Sequence, residues 1–206
     1  MYATLWSMGH LNSGYIDDSY LQGDTSVECH KNVVDTIMLF TKLGFHIHPL
    51  KSVFTPSQKL TFLGSVPDSI AMTVTPTAEK VQRILSVYAT LLKTQMQTIQ
   101  QVAEVIGILV PNFPSAQYGP LHYCPLERDK YLTLLANKGD YGGEMQLSPP
   151  TLSELQWWRD NAVTLKRDIQ HDHPSTSIQS DASTLGWGAV FRKRGGDGLL
   201  RKPNTI

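Results

Sequence analysis

The chain has 206 residues, of which 41% are hydrophobic and 17% charged. That is enough apolar material for one or two modest cores, and too little charge for a disordered chain. Lysine plus arginine balances aspartate plus glutamate at 18 each, so the basic excess of a free-standing nucleic-acid binder is absent. Cys29 and Cys124 give no disulfide framework and fit a reducing compartment. No apolar run approaches the ~20 residues that span a bilayer. The first residues lack the basic start and apolar stretch of a signal peptide. The expectation is an intracellular protein, cytoplasmic or nuclear, neither secreted nor membrane-bound.

In chain order, residues 11 to 22 read as strand, turn, strand around the adjacent acids Asp17 and Asp18. Thr25 and Glu28 form a capping box. Val27, Val33, Val34, Ile37, Met38 and Phe40 then recur near helical spacing, and Gly44 suits the helix end. Residues 45 to 48 and 60 to 66 predict strands, with Gly64 allowing close backbone approach. Thr75 and Pro76 offer an N-cap and a first-turn residue for a long helix. Its apolar stripe is Val81, Ile84, Leu85, Tyr88, Leu91 and Leu92. A second helix starts near Thr98, carries Ile99, Val102, Ile106, Leu109 and Val110, and ends at Pro111 and Pro114. Residues 139 to 150 read as a Gly/Pro linker. Leu152, Leu155, Trp158 and Ala162 predict one more amphipathic helix. Residues 176 to 180 and 187 to 191 predict two paired strands, and from 192 the tail is basic, Gly-rich and patternless, a frayed end. The fold class is α+β, with a domain boundary near residue 74.

Asp17 and Asp18 carry the chemistry. A tight turn breaks the two-sided alternation of a strand and can bring neighbouring carboxylates toward one site. Nucleotidyl transfer uses two divalent ions held by a few oxygen ligands. The alternative is a solvated turn, because aspartate is a common turn residue. His46 with His48, His122 with Cys124, and His171 with His173 are pairs without the three or four ligands that zinc wants. Trp157 and Trp158 read as half core and half interface.

The stretch Gly14-Tyr15-Ile16-Asp17-Asp18-Ser19-Tyr20-Leu21-Gln22-Gly23 resembles the Tyr-x-Asp-Asp motif of reverse transcriptases. Leu43-Gly44-Phe45 followed by His48-Pro49-x-Lys51-Ser52 is similar to the next motif of that family, Leu60 to Gly64 to its primer-grip hairpin, and Thr75-Pro76 to Leu92 to its first thumb helix. Gly119-Pro120-Leu121-His122-Tyr123 and Trp157-Trp158 resemble the thumb-to-connection region of retrotransposon polyproteins, closest to the DIRS-like, tyrosine-recombinase branch. Ser180-Asp181-Ala182-Ser183 and Gly186-Trp187-Gly188-Ala189-Val190 resemble the opening strands of a ribonuclease H domain.

The resemblance implies a partial palm (β-hairpin, helix, β-hairpin) over 1–73, a helical thumb over 74–138, a linker and connection helix over 139–174, and the start of a ribonuclease H-like domain over 175–206. It implies Mg2+ or Mn2+ at Asp17 and Asp18, and a ribonuclease H metal at Asp181. Tyr15 would line the nucleotide pocket. Lys51 would assist the leaving pyrophosphate. Phe62, Leu63 and Gly64 would grip the primer, and Lys80, Arg83 and Lys93 would contact the duplex. The implied partners are an RNA template–DNA primer duplex and deoxynucleoside triphosphates. The family completes its metal site with a third aspartate on an earlier strand, and no residue before Tyr15 is acidic. The expectation is an RNA-directed DNA polymerase fragment with an incomplete ribonuclease H domain, inactive alone. The alternative is a non-catalytic relic that binds nucleic acid or protein.

Overall fold

A computed structural model describes residues 1–93, 96–170, 177–183, 186–193 and 196–199. The chain divides into two units, Met1–Ile169 and Gln170–Ile206, which are taken separately.

The first unit begins with helix α1 (Tyr2–Ser7), followed by strands β1 (Leu11–Tyr15) and β2 (Asp18–Gln22). The strands pair antiparallel from Leu11↔Gln22 to Tyr15↔Asp18, as the sequence predicts. Helix α2 (Ser26–Lys42) starts at the expected capping box. Thr25 Oγ1 accepts from the Glu28 amide at 3.1 Å, and Glu28 Oε2 accepts from the Thr25 amide at 3.2 Å. The helix gives way to Gly44 at φ +86, also as expected.

Its buried face differs from the predicted stripe. Asn32, Val33 and Thr36 point inward, whereas Val27 and Met38 are exposed. The reason lies in what the helix covers. The carbonyls of Leu11 and Gln22 end the hairpin, and Asn32 Nδ2 donates to both, at 2.8 and 2.9 Å. Residues 45 to 48 form no strand, contrary to expectation. An extended stretch is a strand only beside a partner edge. Here the chain instead turns at Pro49, where the Lys51 amide donates to His48 O at 3.2 Å.

The strand predicted over 60–66 is broken by a reversal. Leu63 and Gly64 both take positive φ, at +49 and +70, and Phe62 and Ser65 exchange amide–carbonyl bonds of 2.8 and 2.9 Å across them. Two successive left-handed residues make a tight hairpin turn of the type that glycine favours. Strand β3 (Ser65–Asp68) then pairs antiparallel with β4 (Thr73–Pro76). Residue 74 therefore sits inside a strand. Because Thr75 and Pro76 belong to β4, helix α3 (Ala78–Leu91) starts two residues later than predicted, capped by Thr77.

Strand β5 (Gln97–Thr98) leads into helix α4 (Ile99–Leu109), which opens on a second capping box, Thr98 with Gln101. Pro111 and Pro114 end the α-helix as expected, and the chain continues as 3-10 turns Val110–Ser115 and Gly119–His122. Helix α5 (Cys124–Ala136) follows. The predicted linker is a docked segment rather than a free one. It carries strand β6 (Glu144–Met145), paired with β5. Gly143 O and Tyr141 O accept from the Ile99 and Gln100 amides, both at 2.9 Å. The first amides of a helix have no partner within it, and these carbonyls supply one.

Helix α6 (Pro149–Asn161) buries Thr151, Leu155 and Trp158, with Ala162 buried just beyond it, and leaves Leu152 exposed. Strand β7 (Arg167–Asp168) returns to pair with β4. The main hydrophobic cluster lies between Ile84 and Leu165, with Ile99, Val102, Leu109, Leu126, Leu155 and Trp158 at its centre. Before Ile84, only Leu5 and Val33 are buried apolar residues. The carboxylate hairpin is thus attached mainly through polar contacts.

In the second unit, β8 (Ser177–Ser183), β9 (Gly186–Lys193) and β10 (Gly196–Leu199) form an antiparallel sheet in the order β10-β9-β8. The paired strands predicted over 176–180 and 187–191 are present over Ser177–Ser183 and Gly186–Lys193, with residue 176 outside the described residues. Part of the tail, expected to be patternless, forms β10. His171 and His173 lie outside the described residues.

Candidate carboxylate and nucleic-acid site

The β1–β2 turn consists of Ile16 and Asp17, and Asp18 opens β2 opposite Tyr15. All four side chains are exposed. Ile16 takes φ +53, unusual for a β-branched residue. A positive φ at the first central position alone is the sign pattern of a type II′ turn. Three polar anchors hold the hairpin. Asn32 ties its base to α2, Tyr2 Oη bonds Ser19 Oγ at 2.7 Å, and Trp6 Nε1 donates to Asn12 O at 3.2 Å. Gly14 leaves room for the Tyr2 ring, which a Cβ at that position would displace.

The second half of the site is the Phe62–Ser65 turn. The Phe62 ring lies 5.1 Å from the Tyr20 ring, tilted by 39°. Tyr20 is on β2, two residues beyond Asp18. This contact sets the predicted grip turn against the strand that presents the acids. From behind, Lys80 Nζ donates to Leu63 O at 3.2 Å and to Pro111 O at 2.9 Å, and the Thr77 amide donates to Gly64 O at 3.3 Å. Burial pulls the Lys80 ammonium below the ordinary lysine range.

Three solved structures of foamy viral protease–reverse transcriptase superpose on this chain. One is a complex of the form described as dRH with double-stranded DNA: TM-score 0.55, 18% identity, 99% of this chain and 33% of that one. One is a complex with RNA/DNA hybrid: TM-score 0.56, 17% identity, 99% of this chain and 25% of that one. One is a complex with double-stranded DNA: TM-score 0.53, 19% identity, 94% of this chain and 37% of that one. The fold is reverse-transcriptase-like. The chain spans between 25% and 37% of the length of those proteins. No family model and no curated protein matches it.

Within this reverse-transcriptase-like fold, Lys51 is exposed on the irregular segment after α2, and Arg83 and Lys93 are exposed on and just after α3. Asp181 lies in β8, opposite Gly188 on β9. Asp17 and Asp18 suit magnesium by donor type, since the ion prefers carboxylate oxygens. They fall short in number: among the described residues no group of three or more His, Cys, Asp or Glu could hold a metal ion. His122 is engaged elsewhere, with Nδ1 2.5 Å from Glu154 Oε2 and its ring stacked on Trp157 at 3.8 Å. Trp158 is buried, as its core reading requires, and its Nε1 donates to His122 O at 2.8 Å, while Trp157 is half-buried. A cleft of ≈ 230 Å³ lies at the other end of the hairpin, lined by His10, Leu11, Gln22, Asp24 and Glu28 among others, and includes neither Asp17 nor Asp18. Among the described residues no helix is long and apolar enough to cross a membrane.

Sequence reasoning passed over Asn32, Tyr2, Tyr20 and the hydrogen bond between His10 Nε2 and Asp35 Oδ2, at 2.7 Å. One signal was available for the first. Asn32, Asp35 and Thr36 recur at helical spacing beside Val33, a polar row on a face that a purely apolar stripe would not carry.

Proposed function

We propose that this chain is the carboxylate-hairpin, primer-grip and thumb portion of an RNA-directed DNA polymerase, followed by the opening strands of a ribonuclease H-like domain. The Tyr20–Phe62 contact carries the reading, because it puts the strand bearing Asp18 beside the turn that would hold a primer. The DNA and hybrid complexes of the foamy viral proteins support a template–primer duplex as partner. Deoxynucleoside triphosphates would be the substrates of a longer parent. Residues 119–123 and the Trp157–Trp158 pair support a DIRS-like retrotransposon as its source.

Asp17 and Asp18 would supply two of the oxygens that hold Mg2+ or Mn2+. The ion, when bound, activates a 3′-hydroxyl and neutralises triphosphate charge. Tyr15 would line the nucleotide pocket, and Lys51 would offset charge on departing pyrophosphate. Phe62, Leu63 and Gly64 would touch the primer backbone. Arg83 and Lys93 would make salt-sensitive phosphate contacts. Asp181 would be one ligand of a ribonuclease H site. With only two acids at the hairpin, the chain alone should not polymerise.

The test is primer extension on an RNA template with magnesium, alongside duplex binding as a function of salt. The expected result is weak, salt-steep binding without incorporation. Robust incorporation refutes the claim of inactivity, and no binding at low salt refutes the duplex partner. The lack of a three-acid cluster among the described residues favours a second reading, a non-catalytic duplex- or protein-binding relic. Duplex binding that responds to magnesium only while Asp17 and Asp18 are present supports the enzyme. Binding unchanged by Asp17→Asn with Asp18→Asn, with or without magnesium, supports the relic.

A further inference from the structure

Lys80 is one of three cationic residues on or beside α3, yet its surroundings differ from those of Arg83 and Lys93. Its stem runs under the Phe62–Ser65 turn so closely that a Cβ on Gly64 would lie 2.4 Å from Lys80 Cε. Its ammonium group spends two of its three donors on Leu63 O and Pro111 O. The first carbonyl belongs to the turn and the second to the 3-10 segment after α4. The Thr77 amide, in the cap of the same helix, takes the neighbouring carbonyl of Gly64. Both central residues of the turn thus have their carbonyls held by the first turn of α3. Such support is needed there, because Leu63 occupies a backbone region that L residues adopt at a cost. Leu63 meanwhile stays 45% exposed, so the turn is fastened by α3 and still open to solvent.

We infer that Lys80 is a positioning residue that fixes the grip turn against the helical part of the unit, and that it is not a phosphate contact. The inference rests on the duplex-binding reading above and deepens it, since movement of α3 would then carry the turn with it.

Lys80→Met keeps most of the stem and removes both bonds. Amide exchange at Ser65 and Thr77 should quicken by about tenfold or more, the effect of losing a charged hydrogen bond, while exchange within α5 stays unchanged. Lys80→Arg, which keeps a donor near both carbonyls, should restore much of the protection. The slope of log binding constant against log salt should be the same for wild type and Lys80→Met. Arg83→Ala, as the control for a lost phosphate contact, should reduce the slope magnitude by about 0.9. Unchanged exchange in Lys80→Met overturns the inference, and so does a reduced slope magnitude in that variant. If Lys80→Met does not fold, Lys80→Gln is measured in the same way. A wild-type chain that binds no duplex would refute the proposed function, while the exchange data would still decide whether Lys80 holds the turn.

Discussion

Ile16 at the apex of the carboxylate hairpin should be a source of strain that glycine relieves. Its φ of +53 is a conformation that a β-branched side chain resists. Holding a non-glycine residue in such a region costs of order 1–3 kcal/mol. The side chain is 85% exposed, so its removal loses almost no packing. Glycine brings back an unfolded-state entropy cost of about 0.5–1 kcal/mol. The net expectation for Ile16→Gly is a hairpin more stable by about 0.5–2 kcal/mol, or about 2- to 30-fold in its opening equilibrium. Global unfolding is the wrong assay, because β1 and β2 contribute nothing to the main hydrophobic cluster, and the hairpin can open by itself. Amide hydrogen exchange at the Gly14↔Ser19 and Tyr15↔Asp18 pairs reads the opening directly. Ile16→Val keeps the branch and should gain nothing. Ile16→Asn should fall between, since asparagine tolerates the left-handed region. Equal or lower protection in Ile16→Gly would refute the argument that the turn is strained.

Trp158→Ala should destabilise the first unit by about 3–5 kcal/mol, a large share of the 5–15 kcal/mol typical of a domain, because the ring is 1% exposed and holds His122 O. A urea midpoint close to wild type would contradict this. Asn32→Leu should free the base of the hairpin by leaving the carbonyls of Leu11 and Gln22 without their donor; faster exchange across β1 and β2, with the helical core unaffected, is the expected pattern. For Asp129, burial opposes the charged form, but hydrogen bonds from Ser148 and Thr151 prevail and hold its carboxyl below the usual carboxylate range. A depressed folded-state pKa adds stability that is complete above the unfolded value, about 3.9, and is lost as pH falls through the lower folded value. Wild type should therefore weaken below about pH 4 more steeply than Asp129→Asn, as read from urea midpoints between about pH 2 and 6; parallel curves would count against it.

Local chemistry decided much by itself. The capping boxes at Thr25 and Thr98, the stop at Gly44, the end of α4 before Pro111 and the hairpin around Asp17 and Asp18 all depend on residues within a few positions of one another. Short-range rules of hydrogen bonding and backbone sterics suffice for these. The α+β class follows from the same cues. What the sequence could not specify depended on partners distant along the chain. Residues 45–48 have strand-like composition but find no edge to pair with, whereas 144–145 lie in an apparent linker and pair with 97–98. Which face of α2 turns inward depends on two carbonyls that need a donor, so Asn32 is buried where an apolar stripe was expected. The approach of Phe62 to Tyr20 and of Lys80 to Leu63 joins segments 42 and 17 residues apart. Side-chain identity sets which groups can bond or pack, but only the folded backbone sets which of them come within reach.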